Sequence, residues 1–151
     1  MQTVFQDLVA VDVEAQDTEE IIRTAGQMLL EHGFVKDSYI QAVIEREKIY
    51  PTGLKLQEIA VAMPHTDREH VIKPGVCVVK LEKPVIFGHM GEPDTKVEVE
   101  IIFMMSILHP DEQIETLQKV LGVFQQPAVV ADFKNAVTKE ELFEVAMKHI
   151  G

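Results

Sequence analysis

One stretch constrains this chain more than any other: Ile59-Ala60-Val61-Ala62-Met63-Pro64-His65-Thr66-Asp67. Its first five residues form an apolar run suited to a buried strand, and Pro64, which has no N–H, is expected to end ladder pairing. Proline also pushes Met63 toward extended backbone, so the segment leading to His65 has little conformational freedom left to lose. A histidine held stiffly at a strand end is placed to attack an electrophile. The plainer reading is a histidine in an ordinary loop, and the choice depends on what surrounds it.

A chain of 151 residues and 17.0 kDa is expected to form one domain, residues 1–151, burying roughly two thirds of its unfolded surface. No window approaches the ~18 continuous apolar residues of a membrane span. The N-terminal Met1-Gln2-Thr3-Val4-Phe5 lacks the basic and apolar regions of a signal peptide, and a lone Cys77 cannot form an internal disulfide, so a cytoplasmic protein is expected. Cys77 lies within Val76-Cys77-Val78-Val79 and reads as a small buried hydrophobe rather than a nucleophile. The net charge of −11 and pI near 4.9 repel nucleic acid and anionic membranes and suit a basic protein partner.

The periodicities predict alternating helices and strands. Val4, Leu8 and Val11 suggest a short strand or an irregular lead-in. Asp17-Thr18-Glu19-Glu20 resembles a capping box ahead of Ile21, Ile22, Ala25, Met28 and Leu29 at helical spacing, with Gly33 as the stop. Asp37 or Ser38 is expected to cap a second helix carrying Ile40, Val43 and Ile44, with Glu45-Arg46-Glu47-Lys48 in its last turn. After the Pro51-Thr52-Gly53 turn, a link over 54–58 leads to the strand that ends before His65. Val76–Leu81 and Pro84–Phe87 read as two strands, 88–95 as a loop, and 96–105 as a strand whose second half is buried on both faces. Pro110 starts a helix with Ile114, Leu117, Val120, Leu121 and Phe124 inward; Gln126-Pro127 begins a shorter one; Thr138 and Glu141 form a capping box for the last. The expected fold class is therefore α/β: a single compact domain with a mixed β-sheet of about five strands flanked by helices.

Several chemistries are missing. There is no Gly-rich phosphate loop, Rossmann fingerprint, Gly-x-Ser-x-Gly or His-Glu-x-x-His, which argues against a nucleotide cofactor and zinc proteolysis. His65 and His70, with Asp67 and Glu69 between them, lack an evident third metal ligand, so neither a metal nor another cofactor is expected. Phosphoryl chemistry fits better. A neutral imidazole is nucleophilic, titrates near neutrality, and can accept and release a phosphoryl group if a cation lies close by. Arg46 is the candidate cation; its alternative is a solvated partner of Glu45 or Glu47.

The pattern Arg46-Glu47-Lys48, Pro51-Thr52-Gly53-Leu54 and Ile59-Ala60-Val61-Ala62-Met63-Pro64-His65 resembles the IIA component of the bacterial sugar phosphotransferase system, fructose/mannitol class, across essentially the whole chain. The longer link before His65 and the segment Leu121-Gly122-Val123-Phe124-Gln125-Gln126-Pro127 are most similar to the galactitol-specific branch. The resemblance implies a phosphotransferase subunit: His65 takes a phosphoryl group from phospho-HPr, a small basic-faced carrier, and passes it to a cysteine of the cognate IIB component during uptake of a sugar or sugar alcohol. Arg46 matches the arginine beside the active histidine and is assigned charge stabilisation. The mannitol-type proteins have a second histidine where this chain has Gln113, so His70, or else His109, is expected to substitute as hydrogen-bond donor. Met63 and Leu54 would form an apolar rim with Asp67, Glu69 or Glu58 outside it. The alternative is a regulatory domain of the same type, phosphorylated as a signal.

Overall fold

The computed structural model describes residues 2–151. Its elements run β1 (Val4–Val13), α1 (Thr18–Glu31), α2 (Tyr39–Ile49), β2 (Gly53–Lys55), β3 (Ala60–Ala62), β4 (Gly75–His89), β5 (Glu92–Ser106), α3 (Pro110–Val123), α4 (Pro127–Asn135) and α5 (Lys139–Ile150), with a 3₁₀ turn at Arg68–His70. The strands make one five-stranded mixed sheet. β1 runs parallel to β4, β4 antiparallel to β5, β3 parallel to β5 and β2 antiparallel to β3.

Side-chain alternation explains why the central strands are apolar throughout. Ala60 and Ala62 of β3, Cys77 and Val79 of β4, and Ile102 and Met104 of β5 face a core shared with Ile21, Leu29, Tyr39 and Val43 of α1 and α2. Their neighbours Val61, Met63, Val76, Val78, Ile101, Phe103 and Met105 face the opposite core, closed by Val120, Phe124, Phe133, Leu142 and Ile150 from the α3–α5 side. A strand covered on both faces has no solvated side to mark with polar residues.

The helix starts follow local chemistry. Asp17 accepts from the Glu20 N–H at 2.8 Å, and Thr138 and Glu141 form a reciprocal capping box. Ser38 caps nothing with its side chain. Ile114, expected inside, is 54% exposed, because α3 packs through Val120 in its last turns rather than along its whole length.

Three strand expectations change. Val76–Leu81 and Pro84–Phe87 belong to one strand, β4, whose pairing register with β5 shifts between Lys80 and Val85; that irregularity accommodates Pro84 without an orphaned ladder bond. Residues 88–95 are mostly strand, not loop: His89 pairs with Glu92, and the turn is reduced to Met90-Gly91, with Gly91 at φ +79°. The link after Thr52 contains β2, whose Gly53 pairs with His89 at the far end of β4.

That last contact requires glycine. A Cβ at Gly53 would lie 2.6 Å from the Gly88 carbonyl oxygen and 3.0 Å from Phe87 Cβ. Gly53→Ala is expected to lower the unfolding free energy by about 1–3 kcal/mol through overpacking, read as an earlier urea midpoint.

Candidate functional site

β3 ends at Ala62, and the chain then runs alongside β5 without a proline N–H to offer. The alignment nevertheless continues past Pro64: its carbonyl accepts from Met105 N–H at 3.1 Å, and the Met105 carbonyl accepts from the buried Tyr39 hydroxyl at 2.5 Å. Pro64 thus removes one ladder donor without ending contact with the sheet.

His65 follows, only 9% exposed, with Nδ1 2.8 Å from the Met63 carbonyl oxygen. A carbonyl only accepts, so the proton resides on Nδ1 and Nε2 keeps its lone pair. Burial pushes the His65 pKa down; the Met63 bond opposes this, the Arg46 guanidinium lowers it further, and Asp67 opposes. A neutral, Nδ1-protonated imidazole is the nucleophilic form at cellular pH.

Arg46 lies in the last turn of α2, close enough to His65 to disfavour its imidazolium form. Its guanidinium carbon sits 5.1 Å from the Tyr50 ring centroid, and its buried Nε has no hydrogen-bond partner among the described residues. Such a donor costs about 1–3 kcal/mol to leave unmet, and an anion is the acceptor that suits it. Arg46 thus differs from a freely solvated surface charge in two respects, its electrostatic influence on the His65 ring and its partnerless buried Nε.

His70 is engaged elsewhere. Its Nδ1 lies 2.8 Å from Ser38 Oγ and its Nε2 3.5 Å from Glu69 Oε1, while its carbonyl accepts from Lys36 N–H. The 3₁₀ turn and the Val35–Val71 bridge tie it to the segment before α2, and its Nδ1 is held by Ser38. His109 is an exposed residue at the start of α3 with no side-chain capping bond. Gln113, in the first turn of α3, shares a surface depression with Asp67, Arg68 and Pro110. The remaining histidines have partners of their own: His32 and His89 bond the nearby Met28 and Met90 carbonyls, and His149 of α5 reaches Asp132 of α4 at 3.0 Å.

Met63 is fully buried and cannot form a rim; the exposed apolar groups on the α2 end are Ile49 and Tyr50. Cys77 is buried with its thiol pushed up to about 12, which leaves no thiolate for nucleophilic work. The residues that sequence reasoning missed are Glu47 and Thr52. Glu47 is 7% exposed and accepts from both the Thr52 N–H and its hydroxyl. The available signal was the proximity of an acid in a helix's last turn to a threonine just before a glycine.

Among the described residues no three His, Cys, Asp or Glu side chains converge as a metal site, and no helix is long and apolar enough to cross a membrane.

The chain is 30% identical over 114 residues to the galactitol-specific EIIA component of a phosphotransferase system from Escherichia coli strain K12, a match covering 76% of this chain and 75% of that protein. It is 27% identical over 147 residues to the mannitol-specific phosphotransferase enzyme IIA component of Enterococcus faecalis, covering 95% and 97%. The complex of enzyme IIA mannitol with phosphorylated enzyme IIB mannitol from Escherichia coli contains a chain with the same fold, with a TM-score of 0.79 at 23% identity over 97% of this chain and 98% of that one. The family model described as phosphoenolpyruvate-dependent sugar phosphotransferase system, EIIA 2, matches residues 3–148. With a match spanning nearly every element, this chain belongs to the EIIA 2 family of the phosphoenolpyruvate-dependent sugar phosphotransferase system.

Proposed function

We propose that this protein is a cytoplasmic phosphocarrier that accepts a phosphoryl group from phospho-HPr on Nε2 of His65 and donates it to a cysteine of its cognate IIB component. The observation that carries this reading is the Nδ1 to Met63 carbonyl bond, which leaves Nε2 as the free nucleophile of a neutral ring. In the first step the Nε2 lone pair attacks phosphorus and the donor P–N bond breaks, its electron pair returning to the donor imidazole. In the second, a thiolate of IIB attacks phosphorus and the P–Nε2 bond breaks in turn.

Arg46 is assigned to the charge on the equatorial oxygens, supported by its unmet Nε and its electrostatic influence on His65. Gln113 is assigned the second-donor role in preference to His70; its lining of the depression beside Asp67, and the bond of His70 Nδ1 to Ser38, support that choice. Neither a metal nor a nucleotide enters the transfer. The net charge of −11 favours a basic-faced carrier as donor. The similarity to a protein named galactitol-specific supports a transport role with a sugar alcohol as the transported substrate, in preference to a purely regulatory one.

His65→Ala is expected to abolish labelling from phosphoenolpyruvate, enzyme I and HPr. Arg46→Ala is expected to slow acceptance by roughly 10²-fold while the circular dichroism spectrum is retained; a normal rate would remove Arg46 from the site. Onward transfer to a purified galactitol-type IIB separates transport from signalling, and its failure alongside normal acceptance favours the regulatory role.

The His65 ring should titrate below its ordinary 6.5 in an NMR pH series, so acceptance persists to lower pH than a free imidazole would allow. Arg46→Ala should move that midpoint upward, because it removes a charge that disfavours the imidazolium.

A further inference from the structure

Glu47 and Thr52 are two buried polar groups that the transfer just described does not use. Glu47 Oε2 accepts from the Thr52 N–H at 2.6 Å and Oε1 accepts from the Thr52 hydroxyl at 2.9 Å. With its hydrogen committed to Glu47, the hydroxyl turns a lone pair toward the Met63 N–H, which donates to it at 3.1 Å. Met63 in turn receives the His65 Nδ1–H on its carbonyl. Residue 63 is therefore gripped at its N–H by Thr52 and at its C=O by His65.

We propose that Glu47 and Thr52 form a positioning clamp, acting through Met63, that fixes the tautomer and aim of His65; the proposal rests on the phosphocarrier reading of His65. The clamp joins three elements that sequence alone does not connect: the last turn of α2, the turn before β2 and the end of β3. It costs the fold something. Burial pushes the Glu47 carboxyl up to about 7 against the two Thr52 bonds and Arg46, the mark of an acid held where water would serve it better. A carboxylate that merely closed the α2–β2 turn would need only the Thr52 backbone N–H. Here the second oxygen is spent on orienting the hydroxyl, and only that orientation reaches Met63.

The clamp also sets Arg46 and His65 on one frame. Arg46 precedes Glu47 on the same helical turn, so the bonds that hold Glu47 to Thr52 fix the distance between the cation and the nucleophile. Thr52→Val keeps the shape of the side chain and the backbone donor to Glu47 but removes the hydroxyl that donates to Glu47 and accepts from Met63; Thr52→Ser restores it. Glu47→Gln places an amide donor against one of the two Thr52 donors.

The test combines nitrogen-15 NMR of the His65 ring with single-turnover transfer from phospho-HPr. Wild type is expected to show the Nδ1–H tautomer alone. Thr52→Val and Glu47→Gln are expected to show a mixture of tautomers and a roughly 10- to 100-fold lower transfer rate at saturating phospho-HPr, with the half-saturating concentration unchanged. Thr52→Ser should recover both readings. A folded Thr52→Val protein with an unaltered tautomer overturns the clamp, whether its rate is normal or reduced. If Glu47→Gln fails to fold, the threonine pair decides. If wild type accepts no phosphoryl group, the phosphocarrier reading fails, and the tautomer comparison still judges the clamp on its own.

Discussion

The structure depends most on the hydrogen bond between His65 Nδ1 and the Met63 carbonyl two residues earlier. An imidazole has two nearly equivalent nitrogens, and an isolated one exchanges tautomers freely. Donating Nδ1–H to a fixed backbone acceptor makes the nitrogens inequivalent and leaves Nε2 with its lone pair. That acceptor is only as fixed as its own backbone. The surrounding architecture supplies this rigidity, since a residue at a strand end next to proline has few backbone conformations available.

Two sets of contacts hold the segment from opposite sides. On one side the Tyr39 hydroxyl reaches the Met105 carbonyl, and Met105 N–H reaches the Pro64 carbonyl, so α2 and β5 brace the proline together. On the other side Glu47 and Thr52 meet the Met63 N–H. Both braces originate on α2, which also carries Arg46. The two apolar layers keep the sheet fixed beneath them: Val61 and Met63 are buried on the α3–α5 side, Ala60 and Ala62 on the α1–α2 side. Water is largely excluded from the imidazole as a result, which favours its neutral form and strengthens every charge interaction with it.

The fold class and the helices were legible because period and capping chemistry are local signals: Asp17, Thr138 and the stripe Ile21–Leu29 need no knowledge of the rest of the chain. The stiff histidine was legible for the same reason, since Pro64 acts on its immediate neighbours. What was misread depends on partners distant in sequence. Pro84 suggested a strand break, yet a register shift against β5 absorbs it. Gly88–Thr95 has loop composition, but a long hairpin with a tight glycine turn needs only backbone pairing there. His70 sits five residues from His65 in sequence and is drawn away by Ser38, a contact spanning 32 residues. Glu47 lay in a run of charges that reads as solvated, and only tertiary packing reveals that its neighbours Glu45 and Lys48 are exposed while it is not.

The most direct measurement is the site of phosphorylation on the ring, read from nitrogen–phosphorus couplings in nitrogen-15-labelled protein after reaction with phospho-HPr. The structure predicts phosphorus on Nε2 of His65 with Nδ1 still protonated and bonded to the Met63 carbonyl. Phosphorus on Nδ1, which would require that bond to break, or on any other histidine, would contradict it.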